Sequence, residues 1–241
     1  MRIHFLFLAM LTFLAALPSN CQTAFGKLGV TVTDEQGVAL PSASVSGSRV
    51  PNLIRAGSHF DLAPGEQRFF VSGATDAAGS YSNSSVPPGT YLVCAEVPGQ
   101  AFLNSCKWGE TKSMVVASGQ TSADTVRLGK GVFLKVHIED PKSLLPPDRR
   151  PLGPPPVIVG VKFGNGAFLA ADLVSVTEGA DFSMPIPVNT PLELWLSTRE
   201  VSLADQQGNT VDLSTRKISF TAIPSSDQSF SFTVSGRIAA P

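Results

Sequence analysis

Residues 29–45 read GVTVTDEQGVALPSASV, and residues 75–91 read TDAAGSYSNSSVPPGTY. In both stretches apolar residues alternate with polar ones, and Asp-x-x-Gly or Pro-Pro-Gly interrupts the alternation. Alternation with a period of two predicts β-strands with one buried face, and the Gly- and Pro-containing interruptions predict tight turns between antiparallel strands. This part of the chain therefore predicts an all-β fold built from short strands.

The same pattern extends on both sides of these stretches. Seven short strands are predicted, at residues 28–33, 44–48, 68–73, 80–84, 90–97, 112–117 and 124–128. This density of strands and turns is typical of a β-sandwich. No window shows a helical period, and residues 51–67 are predicted to form a long loop, which is either a binding loop or a tolerated insertion.

A second set of strands follows residue 130. Strands are predicted at residues 131–138, 157–163, 168–176, 181–185, 192–198, 217–222 and 229–238. Between the first two lies a Pro-rich loop, residues 139–156, in which seven of the 16 residues from 141 to 156 are proline and neither a helix nor a central strand can form. We expect two β-sandwich domains, at residues 22–129 and 130–241.

The N-terminus has the layout of a secretory signal peptide. Arg2 is followed by an apolar run over residues 5–17, then by Pro18 and a polar patch that ends at Cys21. A positive start, an apolar run of about 7 to 15 residues and small residues before the cut define such peptides. We expect removal of residues 1–21 and an exported protein that works in the periplasm, at the cell surface or outside the cell. Acylation of Cys21 is one alternative; a retained transmembrane anchor is the other, but it needs about 20 apolar residues.

The charge balance bears on the class of partner. Without residues 1–21 the chain carries 17 basic and 19 acidic residues, a net charge of −2. Nucleic-acid binding and polybasic membrane attachment both need an excess of basic residues. We therefore expect neither of these partners.

Two cysteines remain after the predicted cut, Cys94 and Cys106. In an exported protein an even pair of cysteines indicates a disulfide, and the short loop between them, which contains Pro98-Gly99, can bring them together. Two unpaired buried thiols are the alternative. Metal binding is not expected, because the histidines lie far away in the sequence and form no ligand cluster with the cysteines.

The chain resembles the carboxypeptidase regulatory-like domain family, a prealbumin-like β-sandwich related to the B-type repeats of bacterial surface proteins. The resemblance covers residues 27–129 and lies in Val32-Thr33-Asp34, Gly37, Leu40-Pro41, Ala43-Ser44-Val45, Thr75-Asp76, Gly79, Tyr81, Pro87-Pro88-Gly89 and Tyr91. It implies a transthyretin-like, non-catalytic module of a bacterial exported protein. Several related folds bind carbohydrate, but the resemblance implies no shared active site.

The sequence offers few groups for catalysis, and we expect no enzyme and no cofactor. It has no Gly-x-Ser-x-Gly motif. Asp34 and Glu35 are neighbours that a strand would point to opposite faces, so Asp34 is predicted to bond the backbone of its own turn. His59 and Arg55, both in the long loop, are the outside candidates for a binding site.

Aromatic side chains could stack on sugar rings. Tyr81 and Tyr91 occupy strand positions that predict core packing, and Trp108 beside the cysteines is also expected to pack, as is Trp195. A sugar platform on Trp108 is nevertheless the sharpest binding hypothesis.

These features favour an exported, non-catalytic binding or structural module of the bacterial cell envelope that acts through contacts with another protein. The alternative is a carbohydrate-binding module, and the unknown partner is accordingly an envelope protein or a glycan.

Overall fold

The computed structural model describes residues 24–56, 59–109, 111–145, 157–163, 167–176, 179–198, 200–211, 218–224 and 226–238, without the side chains of residues 54, 56, 59 and 60. The first half contains β1 (Gly26–Asp34), β2 (Ser44–Arg49), β3 (Leu53–Ala56), β4 (His59–Leu62), β5 (Phe70–Ala74), β6 (Ser80–Val86), β7 (Gly89–Glu96), α1 (Ser105–Trp108), β8 (Lys112–Val116) and β9 (Thr121–Leu128). The second half contains β10 (Val132–Glu139), β11 (Val157–Lys162), β12 (Phe168–Ala170), β13 (Asp172–Ser175), β14 (Gly179–Ile186), β15 (Pro191–Thr198), β16 (Val201–Ala204), β17 (Ile218–Thr221) and β18 (Gln228–Arg237). The predicted signal peptide, residues 1–21, lies outside the described residues.

The first sandwich packs a 3-stranded sheet, in the order β6-β1-β9, against a 4-stranded sheet, in the order β5-β2-β7-β8. Each strand buries alternate residues, as the period of two requires, and the core contains Leu28, Val45, Tyr91 and Leu128. Tyr81 is also buried in this core. The predicted seven-strand sandwich and the core positions of both tyrosines are confirmed.

The second sandwich packs a 5-stranded sheet, in the order β13-β14-β10-β18-β16, against a 4-stranded sheet, in the order β12-β11-β15-β17. Its core is separate from the first and contains Leu134, Ile138, Val161 and Met184. The opening strand of each sandwich lies inside its sheet, beside an antiparallel neighbour and a parallel one: β1 pairs with β6 and β9, and β10 pairs with β14 and β18. The all-β fold of two sandwiches is therefore confirmed, whereas the predicted domain limits stay predictions.

Three turns share one pattern of hydrogen bonds. Asp34, Asp76 and Asp205 each accept, through Oδ1, the backbone N–H groups two and four residues later. A glycine with positive φ completes each turn, and its N–H donates to the aspartate carbonyl. The interpretation of Asp34 as a turn residue is confirmed, because its carboxylate is engaged with its own backbone.

Four local features differ from what the sequence indicated. Residues 51–67 do not form a plain loop, because β3 and β4 pair as an antiparallel hairpin. The predicted strand 168–176 is two strands in different sheets, β12 and β13. The strand β16 was not predicted, and one helical turn, α1, interrupts a chain in which no helix was expected.

The connection between the sandwiches is short and hydrogen-bonded. The N–H of Leu103 donates to the carbonyl of Gly129 at 2.8 Å, and the N–H of Gly131 donates to the carbonyl of Ala101 at 2.7 Å. The loop before α1 therefore lies directly against the residues that join β9 to β10. The helical part of the described chain includes no segment long and apolar enough to cross a bilayer.

Candidate functional site

The disulfide and α1 hold one wall of the candidate site. Cys94 on β7 is bonded to Cys106 in α1, which confirms the predicted pair. Asn104 caps the helix by accepting the N–H groups of Cys106 and Lys107, and Ser105 Oγ accepts the buried N–H of Ala95 at 2.9 Å. A helix of one turn has little stability of its own, so these side-chain bonds and the disulfide fix its position on the sheet.

The helix places Trp108 at the junction of the two sandwiches. Its ring meets Phe163, which follows β11, edge to face with centroids 5.1 Å apart, and it packs on the second core. The neighbouring Lys107 Nζ lies 4.0 Å from Asp172 Oδ2 on β13. Half-buried Trp108 thus has a packing role between sandwiches, and the prediction that it stacks on a sugar stays a prediction.

A groove opens beside this contact. It encloses about 530 Å³. One wall comes from the first sandwich, from residues 96–108, and the other comes from β10, β13 and β14 of the second. Its apolar lining includes Phe102, Trp108, Phe133 and Val174, and its polar lining includes Glu96, Asn104, Lys107, Lys135, Asp172 and Ser183.

The groove continues onto the outer face of the 5-stranded sheet. A second hollow of about 490 Å³ lies there, and Lys135, Val174 and Ser183 line both spaces. Its far end contains His137, Asp181 and Ser231. We name the groove and the hollow together the trough.

Lys135, which lines both the groove and the hollow, forms an ion pair with Asp227. Lys135 Nζ lies 2.6 Å from Asp227 Oδ2, and the N–H of Phe133 donates to Asp227 Oδ1 at 3.0 Å. The hydrogen bond from Lys135 and the one from the Phe133 backbone hold the pKa of Asp227 below its ordinary value of 3.8. The carboxylate thus ties the start of β10 to the start of β18.

This shift predicts an acid-dependent loss of stability. Because the pKa of Asp227 is lower in the folded protein, the ionised carboxylate stabilises the fold fully above the ordinary pKa of 3.8. This stabilisation is lost as the pH falls through the pKa of the folded state. Because the pair is partly exposed, we expect Asp227→Asn to cost at most about 1 kcal/mol at neutral pH and close to nothing in strong acid. Urea unfolding of both proteins across the acid range measures the difference. In a Lys135→Met background the cost should shrink, and a cost that persists in acid contradicts the assignment.

Asp181, His137 and Ser231 lie in one row across β14, β10 and β18. His137 Nδ1 is 2.7 Å from Asp181 Oδ1, so this row has the residue types of a nucleophilic triad. However, Ser231 has no hydrogen bond to His137 among the described residues, and the row lies on interior strands whose backbone groups are engaged in sheet pairing. Stabilising an oxyanion needs free N–H donors, and the backbone N–H groups of these strands are already engaged in pairing with their neighbours.

The residues proposed from the sequence do not form one site. Arg55 and His59 lie on the β3–β4 hairpin, which follows the Arg49 end of β2. Trp108 lies near the opposite end, where Ser44 pairs with Glu96. Arg55 is exposed, and the side chain of His59 lies outside the described residues. Their predicted binding role stays a prediction, separate from the trough.

Trp195 does not lie in the trough either. It is on the outer face of the other sheet, where its ring meets Phe168 at 4.6 Å and Lys162 Nζ lies 5.0 Å from its centroid. The expectation that this ring packs against protein is therefore met.

The first sandwich presents an apolar surface that the sequence did not reveal. Phe70 and Leu92 are cross-strand neighbours of Ser48 on the outer face of the 4-stranded sheet, with 67% and 41% of their surface exposed. Val115, which pairs with Thr90, is 67% exposed. We name Phe70, Leu92 and Val115 the apolar face.

Phe133 is one of the trough residues that the sequence did not single out. It shares its face of β10 with Lys135 and His137, whereas the aliphatic residues of this strand point into the core. An aromatic residue at a polar position of an alternating strand is the signal that could have identified it.

No family model matches the chain, and no curated protein matches it. Among solved structures it is similar to the Bacillus anthracis TIE protein, with 15% identity, a TM-score of 0.34, and coverage of 89% of this chain and 34% of the other. It is also similar to a streptococcal ancillary pilin, with 13% identity, a TM-score of 0.37, and coverage of 88% and 63%. A third is GBS52, the minor pilin of Streptococcus agalactiae, with 8% identity, a TM-score of 0.33, and coverage of 90% and 99%. The chain thus spans less than two thirds of the first two proteins.

Proposed function

We propose that this chain is an exported, non-catalytic module of the bacterial cell envelope that does binding or structural work through contacts with another protein. The observation that carries the proposal is the apolar face of the first sandwich. Phe70 and Val115 each leave 67% of their surface in solvent on the outer face of the 4-stranded sheet. A group of exposed apolar side chains on one face is typical of interaction surfaces.

The chemistry-bearing side chains support a structural role. Asp34 and Asp76 build turns, Cys94 and Cys106 form a disulfide, and Asp227 joins two strands. The described residues contain no group of three or more potential metal ligands. These side chains have structural tasks, which leaves surfaces as the basis of function.

The partner expected at the apolar face is a folded envelope protein with a complementary apolar surface. Site-specific photo-crosslinking in intact cells that produce the full chain tests this. A crosslinker at Val115 should yield one discrete adduct, and Phe70→Ser should remove it. A crosslinker at the exposed turn residue Gln36 is the matched control. No adduct, or equal adducts at both positions, overturns the proposal.

Carbohydrate binding is a second candidate function. The trough favours it, because aromatic and aliphatic surface lies there beside hydroxyl, amide and charged groups. A concave site with apolar walls and a few polar groups is the usual form of a small-ligand site. Trp108, the platform proposed from the sequence, contributes to one wall.

A further inference from the structure

We infer that the trough binds an uncharged, hydroxyl-rich chain, a neutral oligosaccharide, along the outer face of the 5-stranded sheet. The inference rests on the proposal of a non-catalytic binding module and specifies the ligand of its second candidate function. It assigns an apolar ligand contact to Phe133, over whose ring Lys135 Nζ lies 5.9 Å from the centroid, and it extends the site beyond Trp108 to Ser231.

Charge pairing inside the trough selects against a charged ligand. Lys107 is 4.0 Å from Asp172, and Lys135 is 2.6 Å from Asp227. Both lysines that line the trough therefore already face a carboxylate. An anionic polymer needs unpaired cations to replace its counterions, and these lysines do not provide them.

Two further ionisable side chains of the trough are also hydrogen-bonded. His137 Nδ1 is 2.7 Å from Asp181 Oδ1, and Glu96 Oε2 accepts a hydrogen bond of 2.7 Å from Asn104 Nδ2. These groups are partly exposed, so each pairing contributes little, but a charged ligand would compete with groups that already neutralise or hydrogen-bond one another. A neutral ligand leaves all four arrangements intact.

Unpaired hydroxyl groups provide the polar contacts. Ser183 and Ser229 flank Lys135, and Ser231 flanks His137. All three hydroxyls line the hollow, and none has a hydrogen-bond partner among the described residues. A hydroxyl is both donor and acceptor, which suits the hydroxyl groups of a sugar.

The backbone argues against an extended peptide. β14, β10 and β18 are interior strands with neighbours on both sides. A peptide that adds to a sheet uses the unpaired N–H and C=O groups of an edge strand. On these three strands the hollow therefore offers side chains, and an oligosaccharide needs no backbone partner.

The dimensions favour several sugar units over one. Phe133 and His137 are four residues apart on β10, which corresponds to about 13 Å along a strand. The groove extends the site further, to residues 96–108 of the first sandwich. Affinity should therefore increase with the length of the chain.

Isothermal titration calorimetry of the full protein tests the inference. The probes are cello- and malto-oligosaccharides from the disaccharide to the hexasaccharide, with oligogalacturonates of matched length as the charged series. We expect one neutral series to bind, with a gain of about tenfold in affinity between its shortest and longest members, or about 1.4 kcal/mol. Tighter binding of the charged series, no length dependence, or no binding of either neutral series overturns the inference.

Matched variants locate the site. Phe133→Ser should weaken binding about tenfold, or by about 1.4 kcal/mol, which is near the upper end of what an aromatic contact contributes. Phe70→Ser is the control, because it also replaces an exposed phenylalanine but on the apolar face. This variant should bind the oligosaccharide normally. Val174→Arg adds bulk and charge to the trough at a residue that is 66% exposed, so it should block binding even if Phe133→Ser fails to fold. Normal binding by Val174→Arg overturns the assignment.

The two proposals fail separately. Loss of the crosslink at the apolar face leaves sugar binding at the trough untouched, and absence of sugar binding leaves the crosslink untouched. Phe70→Ser and Phe133→Ser should therefore have opposite effects in the two experiments.

Discussion

Gly79→Ala should destabilise the first sandwich by about 3 to 5 kcal/mol. Gly79 has a φ of +70°, and a Cβ there would lie 2.7 Å from the carbonyl oxygen of Val32 and 3.0 Å from the N of Leu40. The substitution adds backbone strain of on the order of 1–3 kcal/mol to overpacking of about the same size. Because both contacts are backbone atoms of the sandwich, no side chain can rotate to relieve the clash.

Gly37→Ala is the matched control. Gly37 closes the same kind of turn with a φ of +83°, but nothing lies within 4 Å of its Cβ position. We expect this variant to cost only about 1 kcal/mol, from the positive φ alone. Thermal unfolding should place Gly79→Ala about 10 °C below the wild type. Equal losses in the two variants would show that φ, and not the contact with β1, decides the effect.

The turns illustrate how much of the fold the sequence contains. Asp-x-x-Gly predicted the turns at Asp34 and Asp76, because the aspartate side chain and the glycine φ are both local properties. The alternation likewise located each of the seven sandwich strands in the first half to within a few residues. Period and turn chemistry were enough, since each acts within a few residues of the chain.

The failures occurred where no local signal exists. At Ala171 the chain leaves one sheet and enters the other, and the N–H of this residue donates to the carbonyl of Val159 at 2.8 Å. Neither Gly nor Pro marks that switch, so 168–176 reads as one strand. β16 begins after Glu200 in the same way, without Gly or Pro before it.

The candidate site was even less accessible to sequence reasoning. The trough combines residues 96–108 of one sandwich with β10, β13, β14 and β18 of the other, and only the contact between the sandwiches brings them together. The row of Asp181, His137 and Ser231 depends on the register of three strands. Register across a sheet is set by the burial of whole strands, and no short motif encodes it.

Removal of the disulfide should also destabilise the protein strongly, and it should disturb the contact between the two sandwiches at Trp108. Cys94 and Cys106 are 12 residues apart, and by the loop-entropy model such a ring contributes about 3 kcal/mol. The double variant Cys94→Ser/Cys106→Ser should lose about that free energy of unfolding in urea.

The same variant separates two ways of holding Trp108 against Phe163. If the disulfide fixes α1, its removal should release the ring from the 5.1 Å edge-to-face contact and shift Trp108 fluorescence to longer wavelength. A Trp195→Phe background makes Trp108 the only fluorescent tryptophan. If emission instead stays unchanged while stability falls, the Asn104 cap and the Ser105–Ala95 hydrogen bond suffice to place the helix. In that case the disulfide stabilises the protein only by restricting the conformations of the unfolded chain, and it contributes nothing to the geometry of the trough.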